Sequence, residues 1–169
     1  LLIKGETMKI ALIIVLIGCC TYIGYGFSKY YSNRKTFYLD LILLMDKLKL
    51  DIAFSKEKIS NIISSYEPMS KNLKTLCQNF VNMLQQNQFN QDSLFENINI
   101  LKSEEKNTIA LFFKTLGRFD LENQANHIVS FQNQIQQYKT SAENMYDKYG
   151  TIFTKLGFIV GVLLSLLLI

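Results

Sequence analysis

Two long apolar segments, one at each end of the chain, constrain its fold more than any other feature. No charged residue occurs between Ile10 and Phe27, and Lys155 is the only one between Ile152 and Ile169. A helix crosses a hydrocarbon core of about 30 Å with about 20 apolar residues, and with fewer when flanking residues snorkel. The sequence therefore predicts two membrane-spanning helices with a domain between them.

The predicted organisation follows directly from these segments. Residues before Met8 are interpreted as an upstream extension or an expression remnant and are set aside. The second span is the weaker one, because its uncharged part reaches across the bilayer only if Lys155 snorkels back to the surface. We predict four parts: extension 1–7, first span 8–28, helical domain 29–151 and second span 152–169.

Basic residues beside the two spans predict the orientation. Positive residues accumulate on the cytoplasmic side of membrane proteins. Six lie on the domain side of the spans and two on the outer side, namely Lys29, Arg34, Lys35, Lys139, Lys148 and Lys155 against Lys4 and Lys9. We therefore expect a cytoplasmic domain with both termini outside. The lone Cys77 of this domain agrees, since an unpaired thiol suits a reducing compartment.

The charge and the motifs argue against several function classes. Between Ser28 and Thr151 there are 15 basic and 13 acidic residues, a balance of +2 without a basic stripe, which makes nucleic acid an improbable partner. No phosphate-binding glycine loop, metal-ligand spacing or nucleophile–base pair is visible. His127 is interpreted as structural, and Glu104-Glu105 as acids favoured by a helix dipole. We expect no enzyme, no cofactor and no small-molecule substrate.

The middle of the chain shows helical periodicity and no sustained strand alternation. It predicts an all-α fold, with a bundle of about five to six helices between the spans. Helix starts and ends are assigned from capping residues and proline. We expect N-caps at Ser55, Asp92, Ser103 and Asp120, Pro68 in a first turn, and a helix end at Gly117.

A heptad pattern marks the last helix before the second span, which is predicted to run to Gly150. Apolar residues at a and d positions form a seam interrupted only by Gln124. The seam comprises Leu121, Gln124, Ile128, Phe131, Ile135, Tyr138, Ala142, Met145 and Tyr149. Such a seam packs either inside its own domain or against a second copy in a homo-oligomer.

Small residues recur every four positions in the second span, at Gly157, Gly161 and Ser165. Small residues on one face let membrane helices approach closely. We predict a packing face for the first span, at Gly24 and Ser28, or for a second protein.

Two alternatives remain open from the residues alone. Leu16-Ile17-Gly18-Cys19 also fits a bacterial lipoprotein signal, with an exported helical domain lipidated at Cys19. The apolar run and basic residues beyond Cys19 favour a retained span. The second alternative is a membrane-tethered coiled-coil oligomerisation protein of unrelated function.

The run Leu116-Gly117-Arg118-Phe119-Asp120, followed by Gln124 and His127-Ile128, resembles the stage III sporulation protein AB family of endospore-forming Firmicutes. The resemblance covers nearly the whole chain from Met8, and Gly24-Tyr25 before a basic segment also fits it.

This resemblance implies a place in an eight-protein channel assembly that links mother cell and forespore. It implies a domain similar to that of platform protein F of type II secretion. The expected role is a scaffold in the outer forespore membrane that docks an ATPase, stage III sporulation protein AA, on the mother-cell side. The predicted partner surface comprises Arg118, Phe119, Asp120 and Gln124, with a plain helix-capping unit as the alternative.

Overall fold

The computed structural model describes residues 2–54, 58–86, 88–116 and 121–167. Their regular secondary structure is entirely helical, which confirms the predicted all-α fold. The elements are α1 (Leu2–Phe54), α2 (Ile59–Ser64), α3 (Lys71–Gln86), α4 (Gln91–Leu94), α5 (Ser103–Thr115), α6 (Leu121–Met145), a π-helical turn (Tyr146–Gly150) and α7 (Thr151–Leu166).

These elements form two compact units. The first pairs the N-terminal part of the chain, up to Ser32, with the part from Glu143 onwards. The second unit, Asn33–Ala142, is a helical domain with one hydrophobic core. Helices α1 and α6 contribute residues to both units.

Helix α1 continues from the predicted first span into the domain because no proline or glycine interrupts it after Gly26. Its domain part buries one face at the predicted helical spacing. The buried face comprises Phe37, Leu41, Leu44, Met45, Leu48 and Ile52. This part of α1 therefore supplies a central element of the core.

The start of α3 differs from the sequence-based prediction. Pro68 lies before the helix, which begins at Lys71, and not in its first turn. Ser70 caps the helix instead, since its Oγ accepts the Leu73 N–H at 3.4 Å. The buried Asp40 of α1 accepts the Ser70 N–H at 2.6 Å and so fixes this start against the core.

Two other predicted caps are wrong by one or two residues. Asn90, and not Asp92, caps α4, and its side chain accepts the N–H groups of the next turn. Ser103 is the first residue of α5 and not its cap. The Glu105 carboxylate, at the third helical position, accepts the N–H of the N-cap residue Lys102 at 2.7 Å.

The remaining predicted helix signals, Ser55, Gly117 and Asp120, lie outside the described residues. Helix α2 begins at Ile59, with Lys58 at the N-cap position.

The heptad face of α6 packs inside the domain. Its buried members are Gln124, Ile128, Phe131, Ile135 and Ala142. The Phe131 ring lies 5.6 Å from that of Phe112 in α5. The predicted unbroken helix to Gly150 is replaced by a π-helical turn, which shifts the register before α7.

A buried ion pair joins α1 to α5. Arg34 Nη2 lies 2.6 Å from Glu105 Oε1, and the two side chains are 3% and 6% exposed. Arg34 also donates to the Ile100 carbonyl at 3.2 Å. The Tyr38 ring lies 5.9 Å from the guanidinium carbon. Burial, together with the nearby Glu105 charge, holds the pKa of Tyr38 well above its usual value.

The hydrogen bonds around Arg34 and Glu105 compensate for their removal from water. We expect Glu105→Ala to lower the free energy of unfolding by about 3–5 kcal/mol, because it leaves a buried guanidinium without its carboxylate. Its exposed neighbour provides the matched control, and Glu104→Ala costs less than about 1 kcal/mol. Urea unfolding of the full chain in mild detergent measures both.

The double variant Arg34→Met/Glu105→Leu distinguishes lost charge pairing from lost packing. Replacing both charges by apolar side chains restores most of the stability lost in Glu105→Ala. Equal losses for Glu105→Ala and Glu104→Ala would contradict a structural role of the ion pair.

Candidate membrane anchor and docking surface

Two helical stretches are long and apolar enough to cross a membrane, one within α1 and one running from α6 into α7. Only 6% of the most apolar 18-residue segment of α1 is buried, and 17% of the corresponding segment at the other end. The core helix of a soluble protein is mostly buried, whereas these apolar side chains face outwards. Their length, composition and exposure are consistent with membrane association.

Within the first unit, α1 and α7 touch through glycines. A Cβ atom on Gly24 would collide with the backbone of Phe153. One on Gly157 would lie 2.5 Å from the Cys20 carbonyl oxygen, and one on Gly161 would lie 3.3 Å from the Cys20 Cβ. The backbones therefore approach to a distance that larger side chains would prevent.

The structure brings the small residues of the predicted packing face onto one side of α7. Gly161 is buried, and Ser165 is 5% exposed. The Ser165 hydroxyl donates to the Gly161 carbonyl at 2.7 Å, so this polar group is satisfied within its own helix. A hydroxyl bonded in this way can lie in hydrocarbon without an unmet hydrogen bond.

An aromatic cluster lies at the predicted domain-side ends of the two spans. The rings of Tyr31 and Phe153 are nearly parallel with centroids 6.0 Å apart, and Phe27 lies 5.4 Å from Phe153. The ring centroids of Tyr149 and Tyr31 are 5.8 Å apart. The Lys148 ammonium lies 5.2 Å from the Tyr149 ring centroid. Aromatic and basic residues of this kind are typical of a membrane–water interface.

The domain carries a groove of about 260 Å³ between the ends of α3 and α5. Phe80 and Phe113 have ring centroids 4.8 Å apart. Leu84 is 40% exposed at the edge of this groove. The lining comprises Phe80, Met83, Leu84, Gln88, Phe89, Phe113, Lys114 and Leu116. The accessible lining is mixed, because most of the apolar residues are buried while Gln88 and Lys114 are exposed beside Leu84 and Phe89.

The predicted partner residues stand in two groups. Arg118, Phe119 and Asp120 lie outside the described residues, directly after Leu116 of the groove. Gln124 is only 2% exposed, so its side chain belongs to the interior of the domain in this structure.

Cys77, the cysteine of the helical domain, and His127 are both in structural environments. Cys77 is 5% exposed, and burial raises its pKa to about 12, which keeps the thiol protonated at neutral pH. The His127 ring packs edge-on against Phe131 at 4.8 Å, and burial lowers its pKa. Across the described residues, no three His, Cys, Asp or Glu side chains group as a metal site.

Comparison with known proteins gives one clear relationship. A sequence model of the stage III sporulation protein AB family matches residues 9–169. No curated protein and no solved structure is significantly similar to the chain. The match spans the apolar helices as well as the helical domain between them.

The contact between α1 and α7 predicts a cross-link. In a Gly161→Cys variant the new Cβ would lie 3.3 Å from the Cys20 Cβ and 2.9 Å from the Ile17 Cα. The helices must therefore separate slightly, which brings the two Cβ atoms into the range of about 3.5–4.5 Å found in disulfides. We expect oxidation in the membrane to form this bond within one chain, as detected by mass spectrometry of linked peptides in the monomer.

The exposed Cys19 provides the matched control. Adding Cys20→Ala to Gly161→Cys abolishes the cross-link, because Cys19 does not replace the missing thiol. A bond to Cys19, or bonds only between two chains, would contradict the pairing of α1 with α7.

Proposed function

The chain belongs to the stage III sporulation protein AB family, and we propose that it is a non-enzymatic, membrane-anchored scaffold of a channel complex between mother cell and forespore. The family gives the sporulation role. The single observation that carries the scaffold proposal is the combination of two outward-facing apolar helices with one compact helical domain. This arrangement anchors a binding surface to a membrane.

The proposed location is the outer forespore membrane, with the domain on the mother-cell side. Lys29 and Lys148 support this orientation, since both are exposed and lie beside the aromatic cluster at the ends of the spans. Basic residues at the cytoplasmic ends of spans set topology.

The proposed partner of the domain is the cytoplasmic ATPase, stage III sporulation protein AA, as in a type II secretion platform. The proposed docking surface comprises the groove beside Leu84, together with Arg118 and Phe119, which follow Leu116 in sequence. The accessible apolar surface of the groove comes from Leu84, which is 40% exposed, and from the half-buried Phe89, with the exposed Lys114 beside them.

The structure supports the scaffold over the two alternatives. The apolar face of α6 is buried in its own domain, so it does not need a second copy to cover it. Cleavage before Cys19 would remove Ile17, whose Cα lies 2.9 Å from a Cβ placed on Gly161. A lipoprotein would therefore lose part of the helix pair.

Substitutions at the groove and at the two residues that follow it in sequence test the docking surface. Co-purification of the detergent-solubilised chain with the ATPase measures binding. We expect Leu84→Glu and Arg118→Glu each to weaken it at least about tenfold, because the first puts a charge into an apolar contact and the second reverses the charge that the partner meets. Phe119→Ala weakens it through lost apolar contact.

Leu50→Glu is the matched control, since Leu50 is 54% exposed on α1 and outside the groove lining. This variant binds as the native chain does. Unchanged binding in Leu84→Glu, Arg118→Glu and Phe119→Ala alike would contradict the docking surface, and no co-purification at all would contradict the partner.

A further inference from the structure

Two glycines of α1, Gly24 and Gly26, have contrasting surroundings. A Cβ placed on Gly26 meets no heavy atom within 4 Å, whereas Gly24 is in tight contact with α7. A groove of about 490 Å³ lies over Gly26. Its lining comprises Ile23, Gly26, Phe27, Tyr30 and Tyr31.

The walls of this groove are held in place by ring contacts. Tyr30 packs edge-on against Tyr31 with centroids 5.5 Å apart. Tyr31 and Phe27 both pack against Phe153 of α7. A preformed groove loses little conformational entropy when it is filled, which favours binding.

The position of the groove determines what is available to fill it. Gly26 lies at the end of the uncharged segment of α1, next to the aromatic cluster. Lys29, one helical turn further on, is exposed on the side of the helix that carries Gly26 and Tyr30. Hydrocarbon reaches the apolar groove there, and an ammonium group lies where lipid headgroups begin.

We propose that the Gly26 groove binds one anionic phospholipid of the surrounding bilayer, with an acyl chain over Gly26 and the phosphate beside Lys29. The site rests on the membrane anchoring proposed above. It gives the chain a preference for membranes rich in anionic lipid. The charge of Lys29 and the apolar lining favour this occupant over a second copy, which would bring its own Lys29 to the same place.

The test reconstitutes the full chain in nanodiscs of equal phosphatidylglycerol and phosphatidylcholine. Native mass spectrometry then counts the lipids that remain bound as detergent strips the rest. We expect the native chain to retain one lipid, with phosphatidylglycerol preferred at least fivefold. Gly26→Leu fills the groove and abolishes the retained lipid. Lys29→Gln keeps the lipid and loses the preference.

Gly18→Leu is the matched control, because Gly18 also meets nothing within 4 Å but does not line the groove. This variant retains lipid like the native chain. Tyr30→Ala removes one wall without adding bulk, and loss of lipid there supports the site if Gly26→Leu fails to fold.

The opposing outcomes separate the two proposals. Equal lipid retention in the native chain, Gly26→Leu and Gly18→Leu overturns the groove while the anchor stands. A dimer mass that disappears in Gly26→Leu shows a second copy in the groove and also overturns it. Failure of the native chain to enter nanodiscs contradicts the anchor itself.

Discussion

The close approach of α1 and α7 is the contact on which the first compact unit depends. Between helices in hydrocarbon there is no water to exclude, so association relies on van der Waals packing and needs small residues. Gly24, Gly157 and Gly161 supply them, and each faces the backbone or Cβ of the opposite helix. The same helices present their larger apolar side chains outwards, where lipid can solvate them. A single glycine pattern thus pairs the two ends of the chain.

The domain is held by a different kind of interaction. Its core is built from aliphatic and aromatic side chains, and the Arg34–Glu105 pair lies within it almost without exposure. Such a pair contributes little net stability relative to apolar residues of similar size, but an unmatched charge there is costly. The pair therefore penalises arrangements in which α1 and the start of α5 do not meet. The pair thereby favours one geometry of the helical domain.

The features that depend on local spacing were predictable from the sequence. The all-α fold, the buried face of α1 and the apolar face of α6 follow from helical periodicity, which is read over a few turns. The caps were harder to predict, because Asn and Asp are equally good capping residues and the sequence does not say whether Asn90 or Asp92 caps α4. Glu105 was interpreted as a response to the helix dipole, whereas it pairs with Arg34, 71 residues earlier in the chain. Helical periodicity gives no information about a contact between residues so far apart in the sequence. The grooves at Leu84 and Gly26 were not predictable either, because a groove depends on the three-dimensional packing of the side chains around it.

We propose that both ends of the chain lie in the bilayer and hold the helical domain on the cytoplasmic face. Sealed inside-out vesicles from cells making the full chain test it most directly, with alkaline carbonate extraction followed by external protease. The account predicts that the protein stays in the membrane pellet after carbonate and that protease digests the domain while leaving α7 protected. Release by carbonate, or a domain that survives protease until detergent is added, would contradict it.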